Sequence, residues 1–416
     1  MAGTCPQAII SANVTAAGGL THLPANELRG YFQEVQAAMR HISTPNAATK
    51  ALRCMAITVL AFTAAPAQAG PAGSEYSFVY LGDLHFDKVS HHDLDWVKAN
   101  MPGDIRQIED YVRITENHTP GLFRRVQSAI DFSDGRIQMV IQGGDLTEGL
   151  CGSRQLQEQQ FKDALACIRK YIPQAPFIAA KGNHDITGPG AKEAYDAVML
   201  PWLSKECGKP VESASFYFTK GPDLFVFFDA YHNNNLDWLQ KTLGENKHRY
   251  AFVVMHPPAV PYNARSTWHL FSREKDKAAR ERFLNILGVN NAILLTAHLH
   301  KYGLLERRTP AGSFVHFSIN SVISSSQIEV RDAMEGVEKY GGSLVELEPE
   351  FQPDNKQDRM KLLEEEKPYI ARFEYADLPG YAIIDVSGRG VSATIYKGDS
   401  DAAWKTVSLA TALKSK

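Results

Sequence analysis

Five short stretches of the sequence place histidine, aspartate or asparagine directly after an apolar run. They are Asp83-Leu84-His85, Gly143-Gly144-Asp145, Gly182-Asn183-His184-Asp185, His256-Pro257-Pro258 and His298-Leu299-His300. Imidazole nitrogens and carboxylate or amide oxygens are common ligands of divalent metal ions. Each stretch alone has an ordinary explanation, such as a helix cap or a hydrogen-bonded turn. Five of them in one chain predict a metal site.

The second and third stretches are the most informative about chemistry. After Gly144, which has no side chain to obstruct a ligand, the Asp145 carboxylate offers two oxygens and is suited to bridging two cations. A helix N-cap is the alternative role for this aspartate. Asn183 offers a neutral amide oxygen to a metal. The neighbouring His184 is then free to donate a proton, if Asp185 fixes its tautomer.

The runs before these residues are rich in valine, isoleucine, phenylalanine and tyrosine and alternate with helical patterns, which predicts a layered α/β fold. Ten strands are predicted, at residues 76–82, 137–142, 176–180, 214–219, 224–229, 250–255, 291–296, 314–320, 380–386 and 391–397. Apolar residues at helical spacing predict helices at 155–171 and 278–287. Residues 331–368 contain 11 acidic and 6 basic residues without an apolar period. We expect them to form an exposed excursion or lid, or a solvated surface segment without functional role.

The N-terminal region has the composition of a secretory signal peptide. Residues 50–65 combine basic residues with an apolar run too short to span a bilayer, and Ala67-Gln68-Ala69 supplies a cleavage site with small residues. We therefore expect residues 1–69 to be a leader and residues 70–416 to be one exported domain, periplasmic or extracellular, without a membrane anchor. A translation start at Met39 would explain why the leader begins so late. A buried N-terminal helix is the alternative to a leader.

Composition limits the partners. A chain of 416 residues, 44% of them apolar, is long enough to bury a large core. Its formal charge of −3 gives no broad basic face, so a nucleic-acid partner is not expected, and nothing indicates a protein partner.

Removal of the leader would leave Cys151, Cys167 and Cys207. One Cys151–Cys207 disulfide and three free thiols are both open.

Taken in order, the five stretches resemble the signature of the calcineurin-like metallophosphoesterases over about residues 76–300. The resemblance implies a sandwich of two mixed β-sheets flanked by helices, with a dinuclear metal site at the strand ends. The implied ligands are Asp83, His85 and His300 for one divalent cation, Asn183, His256 and His298 for the other, and Asp145 between the two. Manganese, iron and zinc all tolerate this ligand set.

The implied reaction is hydrolysis of a phosphate ester in a small-molecule substrate. Two divalent cations would generate a hydroxide nucleophile from a shared water, and His184 would protonate the departing alkoxide as general acid. Asp185 would orient His184. Two alternatives stay open, namely specificity for phosphodiesters rather than monoesters, and a secreted metal-binding protein of the same fold without catalysis.

Departures from the signature narrow the function. The sequence after Asp145 lacks the arginine found there in protein Ser/Thr phosphatases, and Glu148 stands where purple acid phosphatases have a tyrosine ligand. We therefore expect neither activity. A zinc hydrolase of amides or lactones would carry a His-x-His-x-Asp-His run or a His-Glu-x-x-His helix, and the sequence has neither. Further candidates for substrate contact are His91, His92, residues 229–235, Trp268 and His269.

Overall fold

The structure is a computed structural model, and it describes residues 75–232 and 234–411. The strands are β1 (Tyr76–Leu81), β2 (Ile137–Gln142), β3 (Phe177–Ala179), β4 (Phe216–Lys220), β5 (Asp223–Phe227), β6 (Ala251–Val254), β7 (Ile293–Thr296), β8 (Tyr302–Thr309), β9 (Gly312–Ser318), β10 (Arg331–Glu335), β11 (Ile370–Asp377), β12 (Gly380–Ser387), β13 (Gly390–Lys397) and β14 (Ala403–Thr411). The α-helices are α1 (Leu94–Asn100), α2 (Ile105–Asn117), α3 (Thr119–Phe132), α4 (Arg154–Tyr171), α5 (Ala191–Cys207), α6 (Leu236–Glu245), α7 (Lys277–Val289) and α8 (Lys356–Glu366). None of these helices has the length and apolar character that a membrane span needs. The predicted leader, residues 1–69, lies outside the described residues, as does the alternative start at Met39.

The strands form two mixed sheets. The first has the order β14-β13-β12-β1-β2-β3, in which β1, β2 and β3 are parallel and the other pairs antiparallel. The second has the order β10-β11-β8-β9-β7-β6-β5-β4 and is parallel from β5 through β6 and β7 to β9. Two mixed sheets with flanking helices confirm the predicted fold class.

Alternating side chains along β1 build the core on both faces of the first sheet. On one face, the Phe78 ring meets Phe225 and Phe252 of the second sheet edge-on, at centroid distances of 5.5 and 5.4 Å. On the other face, Val79 and Leu81 pack against helices α3, α4 and α5. Burial on both faces explains why the sequence of β1 is a nearly continuous apolar run.

All ten predicted strands are present, with ends shifted by at most two residues, and the two predicted helices correspond to α4 and α7. The sequence did not predict β8, β10, β11 and β14. Charged residues within β8 and β11 make these strands resemble loops. Arg307 and Glu374 are nevertheless buried, because Glu366 pairs with the former at 3.0 Å and Lys405 with the latter at 2.7 Å.

Residues 331–368 are only in part the exposed excursion that their charge suggested, because most of them are exposed or half-buried but some anchor the segment to the second sheet. They contribute β10 and α8, and Tyr340 and Leu363 are fully buried against the second sheet on the face away from the first. Arg359 is also fully buried, and its Nη1 donates to the carbonyl oxygen of Ala264 at 2.8 Å. The sequence did not reveal this packing because α8 has no apolar stripe. One of its buried residues is the charged Arg359, which is held by a hydrogen bond to the backbone of a distant residue.

The cysteines of the described residues are free thiols, so of the two possibilities left open by the sequence the structure has the free thiols and not the Cys151–Cys207 disulfide. Cys151 is buried in the loop before α4, with its Sγ 3.5 Å from the carbonyl oxygen of Gly149. Cys207 instead ends α5. Burial raises the pKa of the Cys151 thiol, which keeps it protonated and unreactive.

Candidate metal centre

Five strands end at one edge shared by the two sheets. In the first sheet β1 leads to Asp83 and His85, β2 to Asp145 and β3 to Asn183, and in the second sheet β6 leads to His256 and β7 to His298 and His300. Parallel strands present their carboxyl ends at the same edge, which is why residues far apart in sequence meet there. The structure thus brings all seven predicted ligands together. The innermost, Asp83, His85, Asp145 and His256, are at most 1% exposed.

The first group of possible ligands consists of Asp83, His85 and His300. Their ligand atoms all lie within 4.8 Å of one another. Nε2 of His85 is 3.1 Å from Nε2 of His300, and the latter nitrogen is 3.5 Å from Oδ1 of Asp83. Although burial opposes the charge of Asp83, the imidazoles of His300 and His256 lower the pKa of this carboxyl to about 2. Asp83 is therefore an anionic oxygen donor at neutral pH.

The second group consists of Asp145, His256 and His298. Nε2 of His256 is 2.9 Å from Oδ2 of Asp145 and 3.1 Å from Nδ1 of His298. The same Oδ2 atom is 3.8 Å from Nε2 of His85 in the first group. Asn183 lines the same cleft, and its Oδ1 accepts a hydrogen bond from the Tyr231 hydroxyl at 3.2 Å. Asp145 of the second group thus also lies close to the first group.

The donor chemistry of these residues fits cations. Nδ1 of His85 donates to Oε2 of Glu148 at 2.6 Å, and Nδ1 of His256 donates to the carbonyl oxygen of Gly143 at 3.0 Å. Each bond leaves the Nε2 lone pair directed at the other ligands, as second-shell partners of metal-bound histidines do. Lone pairs that face one another at 3.1 Å, as in the pair of His85 and His300, require a proton or a cation between them.

A proton takes the place of the cation in the second group. Burial disfavours the charged imidazole of His256, but the Asp145 carboxylate outweighs burial and raises the pKa of His256 to about 9. Burial together with the positive charge of His256 lowers the pKa of His298 to about 3, so His298 is neutral. Binding of a divalent cation would release the proton of His256, because the cation would then balance the charge of the Asp145 carboxylate.

Four of the possible ligands have left-handed backbone conformations. The φ angles are 45° for His85, 54° for Asp145, 70° for His298 and 54° for His300. Residues other than glycine adopt this region at a cost, and such residues cluster at functional sites where the surrounding structure enforces them. Here the conformation turns each side chain from the strand direction toward the shared edge. The strain therefore marks these four residues as candidates for a functional site.

Glycines beside the ligands allow the backbone to approach them closely. A Cβ on Gly182 would lie 2.0 Å from Oδ1 and 2.1 Å from the backbone nitrogen of Asp145, and a Cβ on Gly144 would lie 2.6 Å from Nδ1 of His256. Neither position has room for a side chain. These contacts explain why glycine precedes Asn183 and Asp145.

Gly182→Ala is expected to destabilise the protein by about 1–3 kcal/mol, the usual cost of an overpacked site, and to lower the metal content by displacing Asp145. Urea unfolding and elemental analysis measure the two effects. Gly244→Ala is the matched control, because a Cβ there meets no atom within 4 Å, so it should leave both quantities unchanged or raise stability slightly. An equal response of the two variants would contradict this explanation of Gly182.

Glu148 holds the possible ligand His85 by a hydrogen bond to Nδ1, the ring nitrogen that faces away from the other ligands. The sequence did not reveal this role. Glu148 is fully buried, and its Oε2 accepts from His85 while its Oε1 accepts from Nε2 of Gln107 at 2.6 Å. The only signal in the sequence was its position three residues after Asp145. A carboxylate in this position fixes the tautomer of His85 and increases its basicity.

Glu148→Gln is expected to weaken metal binding at the first group by roughly 10–100-fold, the range found when a partner of a metal-bound histidine is changed. A competition titration with a chelator measures the affinity. Glu158→Gln on α4, where the carboxylate pairs with Arg154 and Lys162 at the surface, is the control and should bind metal as the native protein does. Equal affinity in the two variants would show that His85 does not depend on Glu148.

His184 reaches the cleft without belonging to either predicted ligand set. Its Nδ1 donates to the carbonyl oxygen of Glu148 at 2.8 Å and lies 3.3 Å from the Glu148 carboxylate, and its ring is 22% exposed. Burial disfavours the charged ring, but the carboxylates of Glu148 and Asp145 raise the pKa of His184 to about 8. The ring therefore carries a proton at neutral pH, with Nε2 as the nitrogen not committed to the backbone. Its ligand atom also lies close enough to His85 and Asp145 for ligation.

Asp185 does not orient His184, so this predicted role is wrong. Its Oδ2 accepts from the backbone nitrogens of Asp145 and Gly182 at 3.1 and 2.8 Å, and its Oδ1 accepts from the backbone nitrogen of Thr147 at 3.0 Å. Burial and the nearby Asp145 charge raise the pKa of Asp185 to about 6. Asp185 therefore ties the two turns that carry Asp145 and Asn183 together, while the Glu148 carbonyl holds the His184 ring.

A cleft of about 830 Å³ opens over the ligands. Trp268 and His269 line it, as do Ala230, Tyr231 and Asn234 from the predicted run at 229–235. The Trp268 ring lies 5.4 Å from the His298 ring between centroids. His91 and His92 do not line the cleft, because both turn toward the buried carboxylate of Asp87.

The model of the calcineurin-like phosphoesterase family matches residues 76–302, the region that holds every predicted ligand. No curated protein sequence matches the chain.

The solved structures that are similar to the chain include the following three. GAP50, the anchor in the inner membrane complex of Plasmodium, is 12% identical with a TM-score of 0.46, over 82% of this chain and 90% of that one. PhoD is 13% identical with a TM-score of 0.46, over 82% and 70%. A dimetal phosphatase from Danio rerio is 10% identical with a TM-score of 0.48, over 82% and 100%. Sequence identities of 10–13% and TM-scores below 0.5 say nothing about the activity of this chain.

Proposed function

The chain belongs to the calcineurin-like phosphoesterase family, and from this membership we propose that it hydrolyses phosphate esters at a centre of two divalent cations. One observation carries the proposal. Oδ2 of Asp145 lies 2.9 Å from Nε2 of His256 and 3.8 Å from Nε2 of His85, so a single carboxylate oxygen is within reach of both ligand groups. Bound there, two divalent cations would supply an activated water and neutralise charge on the phosphoryl group.

The remaining chemistry is assigned to the chain itself. Asp83, His85 and His300 would hold one cation, Asn183, His256 and His298 the other, and Asp145 would contact both. His184 would donate the proton that the departing alkoxide needs, because its Nδ1 is bound to the Glu148 carbonyl and its Nε2 is the nitrogen left for the cleft. Bound cations would lower the pKa of this imidazole. The Glu148 carboxylate, 3.3 Å away, opposes that shift.

Metal dependence tests the proposed function. The purified protein is stripped with a chelator, and p-nitrophenyl phosphate and bis-p-nitrophenyl phosphate are then offered with manganese, iron or zinc added back. We expect no turnover in the stripped protein and recovery with at least one of the metals at two equivalents per chain. Full metal loading without hydrolysis of either substrate would instead support a metal-binding protein without catalysis.

The same two substrates separate monoester from diester specificity. A phosphomonoesterase favours p-nitrophenyl phosphate, and a phosphodiesterase favours bis-p-nitrophenyl phosphate. We propose a small-molecule phosphoester as substrate, since the cleft of about 830 Å³ is of the size that binds small molecules.

We also propose that the protein is exported to the periplasm or the extracellular space. Support comes from the sequence, in which residues 50–65 and Ala67-Gln68-Ala69 have the composition of a signal peptide and its cleavage site. Sequencing the N-terminus of the protein recovered from its native host tests this. A mature chain that begins near Gly70 is expected, and an intact N-terminus in a cytoplasmic fraction would contradict export.

A further inference from the structure

One wall of the cleft carries an arginine that the metal centre does not use. Arg265 lies in the loop between β6 and α7 and lines the same cleft as His298. Its Nε donates to Oε2 of Glu348 at 2.7 Å. Its guanidinium carbon lies over the rings of Trp268 and Phe351, at 5.1 and 5.3 Å from their centroids. A guanidinium held by two rings and a carboxylate has little freedom left to lose when it binds a ligand.

The loop that carries Arg265 is held by α8. Nη1 of the buried Arg359 donates to the carbonyl oxygen of Ala264 at 2.8 Å, and the carbonyl oxygen of Arg359 accepts from the hydroxyl of Ser266 at 2.9 Å. These bonds fix the residues on both sides of Arg265. Glu348 belongs to the same segment as α8. The segment at residues 331–368 thus forms the support of this wall of the cleft.

The outer edge of the Arg265 guanidinium is available for a ligand. Within residues 75–232 and 234–411, Nε has a hydrogen-bond partner while Nη1 and Nη2 have none, and the side chain is 31% exposed. Two parallel N–H donors on one planar edge match the two oxygens of a carboxylate or a phosphate. The edge therefore has the geometry of an anion site.

Arg265 belongs to a network of ion pairs in which cationic side chains outnumber carboxylates by one. Glu348 also pairs with Lys301 at 3.4 Å, and Lys301 pairs with Asp377 at 3.1 Å, which in turn pairs with Arg331 at 2.5 Å. Together with Arg265 the network holds three cationic side chains and two carboxylates, so one positive charge is not compensated within it. An anion at Arg265 would complete the network.

The site lies one aromatic ring away from the metal ligands. The Trp268 ring lies 5.4 Å from the His298 ring between centroids, and the guanidinium carbon of Arg265 lies 5.1 Å from the centroid of the same Trp268 ring. A substrate with its scissile phosphoryl group at the metal centre would extend its departing group along Trp268 toward Arg265.

We propose that Arg265 is a specificity residue, and that the preferred substrates are phosphoesters whose departing group carries a second anion, either a carboxylate or a phosphate. The proposal rests on the proposed phosphoesterase function. It assigns a role to residues 331–368, which place Glu348 and Arg359 around Arg265.

Matched substrate pairs test the proposal. O-phosphoserine and O-phosphoethanolamine differ by one carboxylate, and butane-1,4-diol bisphosphate and butane-1,4-diol monophosphate differ by one phosphate. The native protein should prefer the member with the extra anion by about tenfold or more in kcat/KM, the effect of one charge-assisted pair. The preference should lie mainly in KM, because the contact forms before the transition state. The pair with the larger ratio identifies which anion is bound.

Variants of Arg265 test whether this residue is the cause. Arg265→Gln should bring the ratio of kcat/KM within each pair close to one, and Arg265→Lys, which keeps the charge but loses the planar edge, should give an intermediate ratio. Arg273→Gln is the control, because Arg273 lines the same cleft but pairs with Asp276 at 2.9 Å. It should retain the native ratio.

A binding measurement separates recognition from turnover and from folding. Calorimetric titration of O-phosphoserine and O-phosphoethanolamine into the slow His184→Ala protein, with and without Arg265→Gln, should show the same loss of discrimination. Circular dichroism melting verifies that Arg265→Gln is folded. Native discrimination in the folded Arg265→Gln protein, or equal use of both members by the native protein, would overturn the role of Arg265. Failure of the native protein to hydrolyse or bind any of the four compounds, while it hydrolyses p-nitrophenyl phosphate or bis-p-nitrophenyl phosphate, would overturn the role of Arg265 alone. Failure with those two substrates as well would overturn the phosphoesterase function.

Discussion

Asp145→Ala should remove the bound metal and the phosphoesterase turnover together. Oδ2 of Asp145 lies near both ligand groups, and Oδ1 accepts from the backbone nitrogen of His184 at 2.8 Å. Its loss leaves each cation short of an anionic ligand and frees the turn that carries Asn183. Turnover should fall by roughly 1,000-fold or more, at or beyond the upper range for loss of one electrostatic stabiliser.

Elemental analysis and activity are measured on the same Asp145→Ala sample, so that loss of metal and loss of rate are compared directly. Asp196→Ala, a surface position on α5 that pairs with Lys192, is the control and should retain both. If an inactive Asp145→Ala protein still bound two equivalents of metal, Asp145 would not be a metal ligand. If the Asp145→Ala protein had native activity, the proposed dinuclear centre would be contradicted.

His184→Ala should keep the metal and lose turnover on substrates with poor leaving groups. The imidazole is the protonated group assigned to the departing alkoxide, and general acids of this kind contribute typically 10²–10⁴-fold. The loss should be much smaller with p-nitrophenyl phosphate, whose leaving group departs without a proton. The measurements are the rates on an alkyl phosphate and on p-nitrophenyl phosphate beside the metal content.

The His184→Ala experiment distinguishes a general acid from a ligand, since the ring nitrogen lies within 4.8 Å of ligand atoms of both His85 and Asp145. Loss of metal from this variant would mean that His184 is a ligand. A near-native rate on the alkyl phosphate would exclude proton donation by His184. Asp185→Asn is expected to behave differently from His184→Ala, because Asp185 holds the backbone of the turns and does not contact the His184 ring.

The sequence predicted the parts of the site that depend on one strand at a time. Each ligand follows an apolar run, and the end of a buried strand can be recognised from that run alone, as for β2 before Asp145 or β7 before His298. The order of the stretches and their resemblance to a family then supplied the pairing of ligands. Membership of the family and the two-sheet architecture are both confirmed, while the ligand assignment stays a prediction.

The parts that depend on tertiary partners could not be predicted. Asp185 directly follows His184, which suggested a contact between the two side chains, yet Asp185 turns to the backbone of Asp145 and Gly182. The position of Glu148 three residues after Asp145 did not reveal its role, because its partner His85 is 63 residues away. The buried part of the acidic segment at 331–368 could not be predicted for the same reason. Its buried charged residues, Arg359 and Glu366, have their partners far away in the sequence, at Ala264 and Arg307.

Each of the two ligand groups contains residues from both sheets. Asp83 and His85 come from the first sheet and meet His300 of the second, 215 residues further along the chain from His85. The second group likewise joins Asp145 to His256 and His298. Two bound cations would therefore act as cross-links between the sheets at one end of the sandwich, where chelation would remove them without breaking a covalent bond. Removal of the metal would then weaken the contact between the two sheets at this end of the sandwich.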